Sequence, residues 1–389
     1  MAFSGTLRSN VIFAAIFNMI ISQQVEVDNL SKHGSIVNDA KVDGSLYGDT
    51  KLFYATDVLK SYVWNNDSEA ANLLNVYRPA APNCQEFILD QFRQIPLTVD
   101  NYLSKQAWSD ESSFSAFNNV MLGWMSETKK MYESRLYQCF IGTTISSIGK
   151  QDIKKTLTSG KEGVELAEII ANLTMDLGDY TRDYNDLAYM RSYEPSQIKV
   201  IFNSEYVNKI KYTELPAVFH NDEIKNIFEK AQVMQPRYFG IVITNSNKST
   251  YSATTPTTAK PLDSDGDYAY TPGSNNANGC VRTLVERDIT IGGTTTHLFP
   301  GDELPANTKV DTTSAADTAV FGEIYIQAGI GGIDPVYAKI YTKLPPLMDA
   351  FEVGTSFFNA KALLENHYLT WGYNTLDYFV DKPFITVRK

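Results

Sequence analysis

Apolar positions along the chain change period several times, and each change predicts an element. The clearest stretch lies in residues 109–142. Ser109 stands where an N-cap is expected, and Asp110 and Glu111 follow in the first turn, where the helix dipole favours negative charge. Phe114, Phe117, Met121, Trp124, Thr128, Met131, Arg135 and Cys139 then step by three or four, and Val120, Met125, Tyr132 and Leu136 widen that face. The pattern predicts a helix from Glu111 to Phe140 that Gly142 ends, about 45 Å long at ~1.5 Å per residue. Residues 161–190 predict a second helix, with Val164, Ala167, Ile170 or Ala171 and Thr174 on its face and a weak point at Gly178.

Other stretches read as strands. Leu52–Trp64 is rich in β-branched and aromatic residues. In Phe87–Leu103, Ile95, Leu97 and Val99 alternate, and Pro96 confines the strand to an edge or a bulge. Pro79 and Pro82 mark a stiff turn between the two, so the pair reads as a long two-stranded excursion. Ile198–Phe202 is a strand followed by a cap, Asn203-Ser204, and a short helix, EYVNKIK. Asn221-Asp222 repeats that order before EIKNIFEKA. Strands return in 281–326, with a turn at Gly292-Gly293, and aromatic strands fill 340–389. This is α+β construction without regular βαβ alternation. Residues 22–50 read as an extended arm or loop. Residues 244–280, dominated by Thr, Ser, Asn and Gly, read as a long surface insertion.

Composition narrows the function classes. The 389 residues are 43% hydrophobic, enough to build a sizeable core. A net charge of −11 lacks the basic footprint of a nucleic-acid binder. Three widely spaced cysteines, Cys84, Cys139 and Cys280, form no CxxC pair, which fits folding in a reducing cytoplasm. The run VIFAAIFNMII at Val11–Ile21 follows Arg8 and imitates a secretory signal. Asn18 interrupts it, no small-x-small cleavage site follows, and it is too short to span a bilayer, so it is expected to be a packed arm.

Catalytic and metal chemistry finds no support. His33, His220, His297 and His367 lie outside metal-ligand spacing of one another and of the cysteines, and no HExxH occurs. Asp263-Ser264-Asp265-Gly266-Asp267 departs from an EF-hand loop, with Gly fourth and Ser274 in the twelfth place, and reads as a solvated turn. Gly329-Ile330-Gly331-Gly332 precedes Asp334-Pro335 in place of a GK[ST] helix, so it too is a turn. No cofactor, metal or catalytic set is expected.

Three passages carry a resemblance. Residues 94–143, QIPLTVDNYLSKQAWSDESSFSAFNNVMLGWMSETKKMYESRLYQCFIGT, resemble the hairpin-to-spine-helix passage of major capsid proteins from small short-tailed bacteriophages of the phi-29 type. Residues 196–231, SQIKVIFNSEYVNKIKYTELPAVFHNDEIKNIFEKA, resemble their next passage. Residues 368–387, YLTWGYNTLDYFVDKPFITV, are similar to their late aromatic strand pair. The resemblance covers about half the chain and implies an α+β, HK-97-like capsid fold. It assigns 1–45 to an N-arm, 46–107 to an extended-loop hairpin and 108–150 to the spine helix of a peripheral domain. Residues 151–243 become an axial and peripheral α+β body, 244–280 a polar insertion, and 281–389 returning strands of both domains.

The function so implied is a non-enzymatic major capsid protein. It would self-assemble through hexamers and pentamers into an icosahedral head shell around phage DNA, with at most weak direct DNA contact and no membrane. The implied partners are a separate scaffolding protein, favoured by the initial Met1, and a portal protein. The implied places are the virion and, during assembly, the host bacterial cytoplasm. Expected subunit-interface residues are Val11, Phe13, Ile16 and Phe17 in the arm and Trp64, Tyr77, Arg78 and Arg93 in the hairpin, each of which could equally pack within its own chain. Two other functions fit: an encapsulin-like compartment shell, and a secreted glycan-binding adhesin using the Thr/Asn-rich insertion.

Overall fold

The computed structural model describes residues 35–44, 50–63, 76–100, 111–207, 231–252, 261–268, 281–311, 319–330 and 333–389. The elements in chain order begin with α1 (Ser35–Ala40), β1 (Lys41–Asp43), β2 (Thr50–Ala55), β3 (Asn83–Asp100), α2 (Glu111–Thr143), β4 (Asp152–Lys154) and α3 (Glu162–Gly178). They continue with β5 (Lys199–Asn203), β6 (Gln232–Met234), β7 (Gly240–Val242), α4 (Lys248–Tyr251), β8 (Val281–Thr283), β9 (Arg287–Ile291) and β10 (Thr294–Leu298). The remaining strands are β11 (Val310–Asp311), β12 (Ala319–Val320), β13 (Ile324–Gln327), β14 (Val336–Tyr341), β15 (Leu347–Asn359), β16 (Leu364–Asn374) and β17 (Phe384–Arg388). Contacts divide them into two compact units.

The first unit draws on Ile88–Ser134, Pro346–Thr375 and the described part of the first 50 residues. Its sheet runs β1-β15-β16-β3, with β2 hydrogen-bonded beyond β3. β3 pairs antiparallel with β16 from Asp100↔Leu364 to Leu89↔Asn374. Pro96 sits opposite Tyr368, and the only register shift falls between Tyr373 and Asn374. Of the two alternatives at Pro96, an edge or a bulge, the bulge is absent. β2 reaches the Phe87 end of β3, where Phe53 packs on Phe87 with ring centroids 5.4 Å apart.

Residues 35–43, expected as arm or loop, are instead a helical turn and a strand. Ile36, Val37 and Ala40 are buried, and β1 runs parallel to β15 from Lys41↔Leu347. α2 runs through Gly142 to Thr143 and does not stop before the glycine. Its buried side matches the expected face in part. Met125, Tyr132 and Cys139 are buried as expected, and Lys129 and Glu133 are buried as well, whereas Trp124 is exposed and Thr128 and Met131 are only half-buried. Tyr132 meets the sheet through its hydroxyl, 2.9 Å from that of Tyr373, and through its ring, edge-on to Trp371. Ion pairs link these charges: Lys41 pairs with Glu133 at 2.8 Å and Asp349 at 2.9 Å, and Lys129 with Asp349 at 2.9 Å and Glu352 at 2.5 Å.

The second unit draws on Lys51–Phe87, Arg135–Pro345 and Leu376–Lys389. Its sheet runs β4-β17-β14-β5-β6. β14 is antiparallel to both β17 and β5, while β4 and β6 add parallel strands outside. α3 covers this sheet. Leu166, Ile170, Leu173 and Leu177, at helical spacing, form one core with Val200, Phe202, Ile340, Ile385 and Val387 of the strands. α3 ends at Gly178, short of the expected residue 190. The Tyr193 N–H and the Ser192 hydroxyl return to bond the carbonyls of Leu177 and Gly178, satisfying the helix end. Asn203 caps the helical residues 204–207 as expected, its side chain accepting from the Glu205 N–H. The second such cap, at Asn221-Asp222, lies outside the described residues.

β7, β13 and β8 form a three-stranded sheet, and β9 and β10 a hairpin. The hairpin turns at Gly292 and Gly293, both with positive φ, as the pair predicts. The polar insertion is not wholly a surface loop. Leu262 and Tyr268 within it are fully buried, and the Tyr268 hydroxyl donates to Glu303. Close backbone approach explains Gly142: a Cβ there would lie 2.0 Å from the carbonyl oxygen of Tyr238.

Candidate assembly surface

The strand pattern of Leu52–Trp64 breaks at Ala55, and the residues beyond it face solvent. Val58, Leu59, Tyr62 and Val63 are exposed, Val63 at 95%. Val76 and Tyr77, on the far side of residues 64–75, are exposed as well. Rings join these two stretches: Tyr62 and Tyr77 lie 4.9 Å apart between centroids. Large apolar groups gathered in this way on one surface mark an interaction site more often than scattered ones do.

The root of residues 58–63 is held by charge. The Asp57 carboxylate accepts from the Arg182 guanidinium at 2.7 Å and from the Met190 N–H at 3.1 Å. Arg191 donates to the Thr56 carbonyl at 2.9 Å. Arg182 holds the Asp57 carboxyl down at about 2, so the contact stays ionised through the ordinary pH range. The receiving segment is itself braced. Thr181 and Arg191 exchange two backbone hydrogen bonds at 3.0 Å, and the Asn185 side chain bonds the Tyr189 N–H and carbonyl.

A second apolar surface lies at the β15–β16 end of the first unit. Phe357 and Phe358 are adjacent and both largely exposed, with Val353 and Leu363 nearby in sequence. Adjacent strand residues point to opposite faces, so this end of the sheet presents apolar rings on both.

Several groups suited to chemistry among the described residues have partners within the chain. Lys343 lies over the rings of Phe53 (4.9 Å) and Phe379 (4.7 Å) beside a cleft of about 140 Å³. Asp263 accepts the N–H groups of Asp265 and Asp267, and Asp267 pairs with Lys309, which makes this segment the expected turn. His297 sits between Asp288 (2.6 Å) and Glu286 (3.0 Å), and the Asp288 hydrogen bond raises its pKa. Among the described residues no group of His, Cys, Asp and Glu is placed to hold a metal. Among them, too, no helix is long and apolar enough to cross a membrane.

Of the interface residues expected from sequence, Tyr77 and Arg78 are exposed, and Tyr77 joins the apolar surface. Arg93 is half-buried, its guanidinium 5.1 Å from the Tyr132 ring of the same chain. Val11, Phe13, Ile16, Phe17 and Trp64 lie outside the described residues. Sequence reading passed over Val58, Leu59, Tyr62 and Val63. Their signal was the doubled apolar pairs Val58-Leu59 and Tyr62-Val63, which cannot share one face of a strand.

No family model matches the chain, and no curated protein matches it. Solved structures do. A chain in the capsid structure of Staphylococcus phage Andhra is similar over 90% of this chain and 83% of that one, with 10% identity and a TM-score of 0.56. A chain in the structure of the head fiber and inner core protein gp22 of native bacteriophage P68 is similar over the same shares, with 10% identity and a TM-score of 0.54. At that identity what the chains share is their backbone architecture, and this chain therefore has an α+β fold that matches phage capsid folds.

Proposed function

We propose that the chain is the major capsid protein of a tailed bacteriophage, an HK-97-like shell subunit without enzymatic activity. The likeness of fold over nine-tenths of the chain to a phage capsid structure carries this assignment. Copies assemble as hexamers and pentamers into an icosahedral shell that encloses phage DNA in the virion. The acidic charge suits a wall that releases its DNA, because phosphate contacts dominate such affinity. The likeness of residues 94–143 to phi-29-type proteins narrows the source to a short-tailed phage.

In this assignment residues 1–45 are the N-arm, 46–107 the extended loop and 108–150 the spine-helix region. Residues 151–243 and 281–389 form the axial and peripheral domains, and 244–280 an insertion. Val11, Phe13, Ile16, Phe17, Trp64, Tyr77, Arg78 and Arg93 are interface candidates, with the exposed apolar residues 58–63 added to them. A separate scaffolding protein and a portal protein are the partners, and assembly takes place in the host cytoplasm.

Electron microscopy of the purified protein, expressed with and without its genomic neighbours, tests the assignment. Uniform closed shells, tubes or hexamers are expected, formed faithfully only with a co-expressed scaffold. Shells that form without scaffold and hold protein cargo would instead indicate an encapsulin-like compartment. A monodisperse monomer under every condition would refute shell assembly.

A further inference from the structure

The exposed segment 58–63 is apolar enough to join a neighbour, but a joint needs a direction as well as an adhesive. We propose that Asp57, Arg182 and Arg191 are positioning residues, a clamp that fixes the angle at which residues 58–63 leave the body and meet a second copy of this chain. The proposal rests on the shell assignment above.

Three bonds converge on two consecutive residues. Arg182 and the Met190 N–H hold the Asp57 carboxylate, and Arg191 holds the Thr56 carbonyl. All three donors come from one short segment, residues 182–191, whose ends are tied by the Thr181–Arg191 bridge. Arg182 also donates to the Ala188 carbonyl at 2.7 Å, which locks its guanidinium in place. Ala188 has φ of 51°, a conformation a non-glycine residue keeps only where its surroundings hold it. The receiver is thus braced before the loop root docks on it.

An ion pair this exposed adds little stability. Its effect is angular. Six extended residues reach ~20 Å, so a 15° swing at the root moves the far end by roughly 5 Å. Close-packed interfaces, with interior-like shape complementarity, do not absorb such a displacement. The clamp therefore acts on which neighbour geometry forms, and hardly on whether the subunit folds.

The test compares wild type with Asp57→Ala and Arg182→Ala, which remove the same contact from its two sides. Unassembled subunits are melted and digested with chymotrypsin, which cuts after Leu59 and Tyr62. Assembly is followed by light scattering and electron microscopy. The expected result is melting within about 2 °C of wild type, severalfold faster cleavage in 58–63, and at least a tenfold loss of uniform shells in favour of open or irregular assemblies. Variants that form uniform shells at the wild-type rate would overturn the clamp while leaving the shell assignment intact. A large fall in melting temperature in both variants would also overturn it, by showing a merely structural role. A wild type that forms no shells would refute the shell assignment and with it the positioning role.

Discussion

Replacing Lys339 with Met should stabilise the fold at neutral and acidic pH and lose that advantage in alkali. Lys339 lies on β14 in the middle of the second unit's sheet, 1% exposed. Its ammonium donates to the Thr144 carbonyl at 2.6 Å and the Thr386 hydroxyl at 2.8 Å, with the Phe384 ring 5.4 Å away. Asp152, the carboxylate acting on it, is already held by both arms of Arg388 at 2.7 Å. Burial pulls the Lys339 pKa from 10.5 down to about 7, Asp152 opposing and Arg388 reinforcing the fall. At ~1.4 kcal/mol per pH unit, keeping this ammonium inside the fold below pH 7 costs about 5 kcal/mol.

The unfolded chain binds more protons than the folded one between about pH 7 and 10.5, so the lysine makes stability climb with pH across that window. Methionine removes the charge but leaves the Thr144 carbonyl without its donor, a loss of ~1–3 kcal/mol. The net gain at pH 6.5 is therefore about 2–4 kcal/mol, shrinking by ~1.4 kcal/mol per pH unit above 7 to about −1.5 to +0.5 kcal/mol at pH 9.5. Urea unfolding of unassembled wild type and Lys339→Met at pH 6.5, 8 and 9.5 measures it. A difference that stays flat with pH, or a variant weaker than wild type at pH 6.5, would refute the reasoning.

Two further substitutions probe packing. Gly142→Ala drives a methyl group against the Tyr238 backbone and should destabilise by at least ~2 kcal/mol in thermal unfolding, with no nearby side chain able to yield; a shift under 0.5 kcal/mol would show that the backbones can part. Tyr268→Ala should cost ~3–5 kcal/mol by denaturant titration if the polar insertion is anchored by that buried ring, whereas a surface loop would tolerate it.

Much of the fold could be read from periodicity, because a stripe or an alternation is written locally. Ile95, Leu97 and Val99 turn inward as their alternation requires, and Gly292-Gly293 makes the hairpin turn. Failures came where a distant partner decided the outcome. Gly142 looked like a helix stop, but the Tyr238 carbonyl, nearly a hundred residues on, dictates it and the helix continues. Gly178 looked like a blemish inside a helix, but Ser192 and Tyr193 make it the end. Lys339 gave no sign of being buried, since a lysine between Ala338 and Ile340 is ordinarily an outward residue. Leu262 and Tyr268 were two apolar residues in a polar tract, too few to show a period. The candidate surface was half visible: Tyr77 and Arg78 lie on it, but Val58, Leu59 and Val63 were taken for strand interior.

β17 joins β4 and β14 in the second sheet although residues 384–388 are made about 230 residues after β4 and about 43 after β14. The sheet cannot close while the ribosome is still working toward residue 388. The apolar residues 58–63 emerge some three hundred residues earlier, which at ~5–20 residues per second is roughly 15–60 s of synthesis. During that interval the nascent chain exposes Val58, Leu59, Tyr62 and Val63 before its own second sheet is complete. Synthesis itself thus opens a window for aggregation, and a chaperone that shields the early apolar residues until β17 is laid in would raise the yield of folded chain.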